Sequence, residues 1–295
     1  MTTITVHTLN AFALQIPGGN PAGIVFEAEG LSEAQMQETA RQVGFSETAF
    51  FLPATNADFR LRYFTPNEEV DLCGHATVAA FVLMTAQQRI QPGRFTIHTG
   101  AGLLEIELRN NGDAFLTQTL PVFGNILDRE PIVEALGLSI DDLDARLPIQ
   151  IVSTGLPDIM VPVSSEARLA DIQPDFDAIS AISRMRGAVG IHAFTTDTRS
   201  GATASCRNFA PLYNIPEESA TGTSNGALAC YLHQYEMLGA SVEGLHACVF
   251  EQGEFMGLPS RVYAELSLDD AGNIGSIRVG GSASGIDSRV IQIYS

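Results

Sequence analysis

The sequence predicts an α+β protein made of two similar halves, each a curved sheet wrapped round one buried helix. Three observations carry that prediction. The first is a helix without a polar side. Residues 78–86 hold no charge and follow directly on Asp71-Leu-Cys-Gly-His-Ala-Thr77. A helix that is apolar on all faces belongs in a protein interior, and roughly a dozen residues fall far short of the ~20 that cross a bilayer. The second is a counterpart downstream, where Ala220-Thr-Gly-Thr-Ser-Asn-Gly-Ala227 opens another apolar run, read as a helix over residues 224–238 stopped by Gly239. The third is a repeated order of elements. Phe64-Thr-Pro66, Cys73-Gly74, a helix, a strand and Thr99-Gly100 recur as Phe209-Ala-Pro211, Thr221-Gly222, a helix with Cys230-Tyr-Leu232, a strand and Gln252-Gly253. The early turns echo as well, Gly19-Asn-Pro21 against Gly155-Leu-Pro157. Such a duplication implies halves over residues 1–118 and 119–285, with both helix N-termini facing a shared cleft, where ligands commonly bind.

Composition narrows the function. At 295 residues the chain can bury two cores of ordinary size. Hydrophobic content of 45% against 17% charged residues describes a folded protein, not a disordered one. The net charge of −18 opposes binding to nucleic acid or to an anionic membrane. A small anionic partner therefore needs a local positive site, and the unpaired N–H groups of a helix N-terminus supply one. Cys73, Cys206, Cys230 and Cys248 show no CxxC spacing, and Met1-Thr-Thr-Ile-Thr-Val6 has no basic region followed by an apolar one. A reducing cytoplasm is the expected compartment.

In order, the chain reads as a strand at residues 3–6, a Gly18–Gly23 turn and a strand at 24–26. Ser32-Glu-Ala-Gln35 predicts a capping box, Leu31 a staple onto Met36, and Gly44 a left-handed helix end. Strands are expected within 45–52, 60–64, 95–99, 103–108 and 114–120. Pro131 suits the first turn of a short helix, and Ser139 caps another. Strands at 149–152 and 159–163 precede a helix over 175–186 with Phe176, Ile179 and Ile182 on one side. Further strands follow at 190–195 and 202–208, two surround Gly253–Gly257, and residues 290–294 form the last.

Several motifs together resemble the phenazine-biosynthesis isomerases, the PhzF family. They are Gly19-Asn-Pro-Ala22, Phe45-Ser-Glu-Thr-Ala49, Phe64-Thr-Pro66, Glu69-Val-Asp-Leu-Cys-Gly-His-Ala-Thr77, Ala220-Thr-Gly222 and Arg278-Val-Gly-Gly-Ser282. The resemblance implies the diaminopimelate-epimerase-like fold, a cofactor-free isomerase and a homodimer, with the last strand (residues 286–295) returning to the first half. It makes Glu47 the acid/base, places His75 and Gly74 in the site, and suggests Ser46, Asn20, Cys73, Gly222 and Thr223 as substrate contacts. The family's usual Glu-Asp-Pro-Ala-Thr-Gly-Ser reads here Glu217-Glu-Ser-Ala-Thr-Gly-Thr223. Glu218 thus stands where Asp is usual, its carboxylate displaced by one methylene.

The residues also argue for themselves. If Glu47 starts a strand, it shares a face with Ala49 and Phe51, and a carboxyl in apolar surroundings has its pKa raised toward neutrality. Cys73 at a helix N-terminus would have a depressed pKa, and His75 can orient a polar group or handle a proton. The related epimerases pair two cysteines, but the match to Cys73 in the second half is Thr221, so the two-thiol mechanism is not expected. Asp71-x-Cys73-x-His75 does not converge three metal ligands well, and no metal is expected. Gly100-Ala-Gly102 lacks the third glycine of a dinucleotide fingerprint. The expected function is proton transfer within a small carboxylate-bearing substrate, with Glu47, His75 and Glu218 as catalytic residues. The alternatives are an amino-acid racemase or epimerase using Cys73 with Glu47, and a non-catalytic binding protein on the same fold.

Overall fold

The computed structural model describes residues 2–293. It divides into two compact units, Met1–Thr117 with Gly280–Ser295, and Gln118–Val279; the boundaries expected from sequence lay after residues 118 and 285.

The first unit opens with β1 (Thr2–Ala11), β2 (Asn20–Val25), α1 (Glu33–Val43), β3 (Glu47–Leu52), β4 (Phe59–Phe64) and β5 (Glu69–Val70). It continues with α2 (Gly74–Ala86), β6 (Gly93–Thr99), β7 (Gly102–Leu108) and β8 (Ala114–Gln118). Along the sheet, β1 runs antiparallel to β2, β2 parallel to β3, β3 antiparallel to β4, and β4 parallel to β6. The meander β6–β7–β8 is antiparallel and β5 sits on β4.

Both faces of this sheet are covered. On one, α1 packs with Ile4, Val6, Val25, Phe50 and Phe64. Its ends are set locally: the capping box at Ser32 and Gln35 is complete, and Gly44 takes φ +74° to end the helix. On the other face lies α2, against β1, β2 and β3. The absence of a polar stripe on α2 follows from its being surrounded, with every residue from His75 to Phe81 buried. Phe81 meets the rings of Phe51, Phe59 and Phe95 at 6.4, 5.5 and 5.8 Å.

The second unit contains β9 (Val122–Ile126), α3 (Arg129–Ala135), β10 (Gln150–Ser153), β11 (Pro157–Pro162), α4 (Glu166–Ala170), α5 (Phe176–Arg186), β12 (Ile191–Thr195) and β13 (Ala204–Ala210). After them come β14 (Ile215–Glu218), α6 (Gly222–Gln234), β15 (Leu245–Gln252), β16 (Ser260–Leu268) and β17 (Ile274–Gly281). Its pairings repeat those of the first unit in the same order. β10 is antiparallel to β11, β11 parallel to β12, β12 antiparallel to β13, β13 parallel to β15, β15 antiparallel to β16, and β14 sits on β13. The register repeats too: Thr48 lies between Gly23 and Phe64, as Ile191 lies between Ile159 and Phe209. Here α6 takes the place of α2, packed on β10, β11 and β16, while α3 and α5 cover the other face. The chain then returns as β18 (Ala283–Ile293), antiparallel to β1 from Ile293 opposite Thr2. Tyr294, given to the expected last strand, lies outside the described residues.

Of the three apolar residues read on one side of α5, Ile179 is buried, whereas Phe176 is 41% exposed as the first helical residue after the Asp175 cap. One expectation needs correction. The α6 helix ends at Gln234 rather than Leu238. Glu236 adopts φ +56° and the Met237 N–H reaches back to the Leu232 carbonyl, closing the helix without a glycine. The same device ends α2, with Gln88 at φ +56° and the Arg89 N–H on Met84. Five elements were not foreseen from the sequence: β5, β9, α4, β14 and β17. Among the described residues, no helix is long and apolar enough to cross a membrane.

Removing the Phe81 ring leaves a cavity that four packed elements cannot collapse into. Phe81→Ala should lower unfolding stability by about 3–5 kcal/mol in urea titration, as large-to-small core changes do.

Candidate active site

Glu47 is the first residue of β3, so the pleat aims it to the same side as Phe51, toward α2. The start of α2 is held in place by a short relay. The Tyr63 hydroxyl contacts Thr77 Oγ1 at 2.6 Å, and Thr77 Oγ1 donates to the Cys73 carbonyl at 2.7 Å. Cys73, the residue capping this helix, makes no side-chain cap bond, and the first turn carries no acid. Among the described residues, and beyond its own chain neighbours and helix backbone, no atom lies within 4 Å of the place a Gly74 Cβ would take. The helix end therefore presents backbone N–H groups and the positive end of its dipole, without a carboxylate of its own.

Four side chains converge there. The His75 imidazole lies with Nδ1 3.3 Å from Cys73 Sγ and Nε2 3.4 Å from Ser46 Oγ. Its Nε2 is 3.5 Å from Glu47 Oε2. The Glu47 side chain is 14% exposed and, among the described residues, its Oε2 has no hydrogen-bond partner; the contact with His75 is longer than a good hydrogen bond. Burial pushes the Glu47 carboxyl above its ordinary value, while Ser46 and Cys73 oppose that shift. A shift in that direction suits a group that must both hold a proton and give it back. Asn20, also buried, opens β2 two residues before Ala22, the register partner of Glu47. The preceding Gly19 has φ +76°, and a Cβ there would stand 2.6 Å from the Ala11 carbonyl oxygen, so this turn requires glycine.

The donor atoms of Glu47, Cys73 and His75 lie within 4.8 Å of one another, a carboxylate–thiol–imidazole set of the types that bind divalent metals. Asp71, the third member of the motif weighed from sequence, is not in that group. It packs against Gly100, and its carbonyl accepts from the Ala101 N–H at 3.2 Å.

In the second unit the loop before α6 is tied from one point. Gln252 Nε2 donates to the Glu218 carbonyl at 2.7 Å and to Thr221 Oγ1 at 3.0 Å, and its Oε1 accepts from the Thr221 N–H at 3.2 Å. Thr221 Oγ1 in turn donates to Glu218 Oε2 at 2.5 Å. Asn225 Nδ2 donates to Gln252 Oε1 and to the Thr221 carbonyl, at 2.8 and 2.9 Å. Thr221, where a second thiol would stand, instead orients a carboxylate. Gly222 is the first residue of α6 and Thr223 the second, and again the cap has no side-chain bond and the first turn no acid. The Thr223 carbonyl accepts from Thr154 Oγ1 at 3.2 Å. Sequence reasoning missed Gln252 and Asn225 as site residues. The echo of Thr99-Gly100 in Gln252-Gly253 marked the place of Gln252 in the repeat without revealing its bonds.

The phenazine biosynthesis-like (PhzC-PhzF) family pattern matches residues 9–288. The chain belongs to that family. A crystal structure of a Bacillus anthracis phenazine biosynthesis protein of the PhzF family is similar over 99% of this chain and 100% of that one, with 31% identity and a TM-score of 0.91. An uncharacterized isomerase of Escherichia coli K12 is 38% identical over 79% of this chain and 80% of its own. The trans-2,3-dihydro-3-hydroxyanthranilate isomerase of Pseudomonas chlororaphis is 32% identical over 87% and 88%. This PhzF-family member is an isomerase with the two-half α+β fold of its relatives.

Two measurements check the electrostatics. The Glu47 pKa is raised by folding, so the stability it lends relative to a neutral residue is present in acid and lost as pH climbs through the folded value. Urea titrations of wild type and Glu47→Gln should therefore diverge in favour of Gln from about pH 4.5 upward, whereas a constant difference would count against the shift. Replacing Gln252 by Leu strands the Thr221 N–H and should cost about 1–3 kcal/mol of stability.

Proposed function

We propose that this isomerase works without a cofactor by moving one proton between two carbons of a small carboxylate-bearing substrate, with Glu47 as the carrier. The observation that carries this reading is a largely buried carboxyl, raised in pKa, beside an uncapped helix N-terminus. Ionised Glu47 removes a proton from carbon, and the electron pair left behind spreads into the adjoining unsaturated system. The N–H groups at Gly74 and His75 stabilise the charge that develops. Protonated Glu47 then delivers the same proton to another carbon and returns to its carboxylate. His75, held between Cys73 and Ser46, orients the reacting group, and Asn20, buried at the start of β2, contacts the substrate beside it.

One named activity among the relatives is the trans-2,3-dihydro-3-hydroxyanthranilate isomerase of Pseudomonas chlororaphis. Glu218, Ser219 and Thr223 depart from the family's usual Asp, Pro and Ser, and Glu218 carries its carboxylate one methylene further on a chain already bonded to Thr221. That argues for a substrate of altered shape. The second reading is an amino-acid racemase or epimerase using Cys73 with Glu47; Cys73 Sγ stands next to His75, but its 4.8 Å or less from the Glu47 carboxylate is too short for the two groups to straddle one α-carbon.

Glu47→Gln should fold normally and lose isomerase turnover by about 10²–10⁴-fold, the usual contribution of general acid–base catalysis. A Gln variant turning over like wild type would reject Glu47 as the carrier. Cys73→Ala should retain activity on the first reading, whereas the second predicts loss of solvent-deuterium exchange at the α-carbon of amino acids.

A further inference from the structure

The motif Asp71-x-Cys73-x-His75 makes a poor metal site because Asp71 turns to Gly100, but the first unit supplies a replacement ligand from another element. Glu47, the first residue of β3, brings its carboxylate to Cys73 and His75 at the start of α2. Cys73 Sγ lies 3.3 Å from His75 Nδ1 and 3.9 Å from Nε2, and Nε2 lies 3.5 Å from Glu47 Oε2. All three donor atoms fall within 4.8 Å of one another. A tetrahedral ion bound at about 2.0–2.3 Å holds thiolate, imidazole and carboxylate donors roughly 3.3–3.6 Å apart. The side chains stand near that spacing, and a turn of the imidazole about its bond to Cβ presents either nitrogen. Among the described residues, Glu47 Oε2 is buried without a hydrogen-bond partner, a costly state for a carboxylate oxygen. Cys73 and His75 are also buried, so the ligands need little further ordering when an ion arrives. The open space beside Gly74 offers a way in.

The second unit acts as a control, because its register repeats. Aligned on Phe64 with Phe209 and on Gly74 with Gly222, Cys73 corresponds to Thr221 and His75 to Thr223. Glu47 corresponds to Gly190, where a Cβ would lie 2.1 Å from the Phe209 carbonyl oxygen. That unit has its own buried polar cluster, with Asp158, His192 and Ser224 in the places of Ala22, Ala49 and Ala76. Carboxylate and imidazole are present there, and a third metal-binding type is not. Among the described residues, the group at the start of α2 is the one that gathers three. The scaffold therefore does not require such a group.

Donor chemistry selects the ion. Thiolate and imidazole favour zinc and its transition-metal neighbours over Mg²⁺ or Ca²⁺, which take oxygen ligands in larger number. The thiolate and carboxylate offset the charge of the ion, while the positive end of the α2 dipole opposes it only in part. Three protein ligands leave one position open to water.

We propose that Glu47, Cys73 and His75 bind one zinc-type divalent cation, and that its arrival switches this isomerase off. Binding releases the thiol proton of Cys73 to solvent, and that of Glu47 where it holds one. The ion then occupies the lone pairs with which Glu47 would take a proton from carbon. The switching rests on the assignment of Glu47 as proton carrier made above; the binding does not.

The test uses the whole protein after treatment with a chelator. Co²⁺ should bind once per chain, with a thiolate-to-metal charge-transfer band and the intense visible absorption of a tetrahedral ion, and Zn²⁺ should displace it. By calorimetry, Zn²⁺ affinity should fall at least about 10–100-fold in Cys73→Ala and in Glu47→Gln, since partners that merely orient a metal ligand are already worth that much. Wild-type turnover should fall as Zn²⁺ fills the site and return with chelator, while Mg²⁺ at the same concentration has no effect. Whatever rate Cys73→Ala retains should need correspondingly more Zn²⁺ for half-inhibition. A missing charge-transfer band, a Zn²⁺ affinity unchanged in Cys73→Ala, or zinc-filled protein that turns over normally overturns the proposal. Failure of the isomerase reading looks different: Glu47→Gln would keep wild-type turnover, with the cobalt band of the wild type still in place. Should Cys73→Ala fail to fold in thermal melts, the wild-type band and its loss in Glu47→Gln decide.

Discussion

The site depends on one constraint: a carboxyl is kept largely out of water beside a helix end that has no acid of its own. Burial alone would make Glu47 a poor anion, and the uncapped start of α2 alone would be an exposed anion receptor. Together they give a carboxyl whose pKa burial raises, next to donors that can stabilise charge on a substrate. The rest of the first unit serves that placement. The pleat of β3 aims Glu47 at α2, the Tyr63–Thr77 relay fixes where α2 begins, and the apolar body of α2 anchors the helix in a curved sheet.

The second unit shows how much the same scaffold can vary. Strand order, register and helix terminations are repeated, down to the non-glycine left-handed residues Gln88 and Glu236. The chemistry is not. Thr221 replaces the thiol, Gly190 replaces the carboxyl, and a buried polar cluster replaces three alanines. Backbone pairing and a central apolar helix suffice for the fold, so side chains under the first helical turn are free to specialise.

Legibility followed the range of the interaction. The α1 helix was readable from Ser32, Gln35 and Gly44 because capping acts within a few residues. Both central helices were legible from their apolar runs. The end of α6 was not, because Glu236 accepts a left-handed conformation that sequence preference assigns to glycine, and Gly239 offered a false stop. Helical periodicity placed Phe176, Ile179 and Ile182 on one side of α5, without saying where neighbours stop covering that stripe, and Phe176 is exposed. The strands β9, β14 and β17 were missed, since short or half-exposed strands owe their pairing to distant partners.

The sequence by itself determined the two-half plan, the two apolar helices and the family, because hydrophobic pattern and turn chemistry are written in adjacent residues. It also marked Glu47 and His75, through motifs. Only the tertiary structure decided that Cys73, His75, Ser46 and Glu47 meet while Asp71 turns away, and that Gln252 and Asn225 hold the Glu218 loop. The same is true of Asp158, which lies far in sequence from Ser224 and meets it only because β11 and α6 pack together. Contacts of that kind arise from strand register and helix packing, and their energies depend on burial that no local stretch of chain encodes.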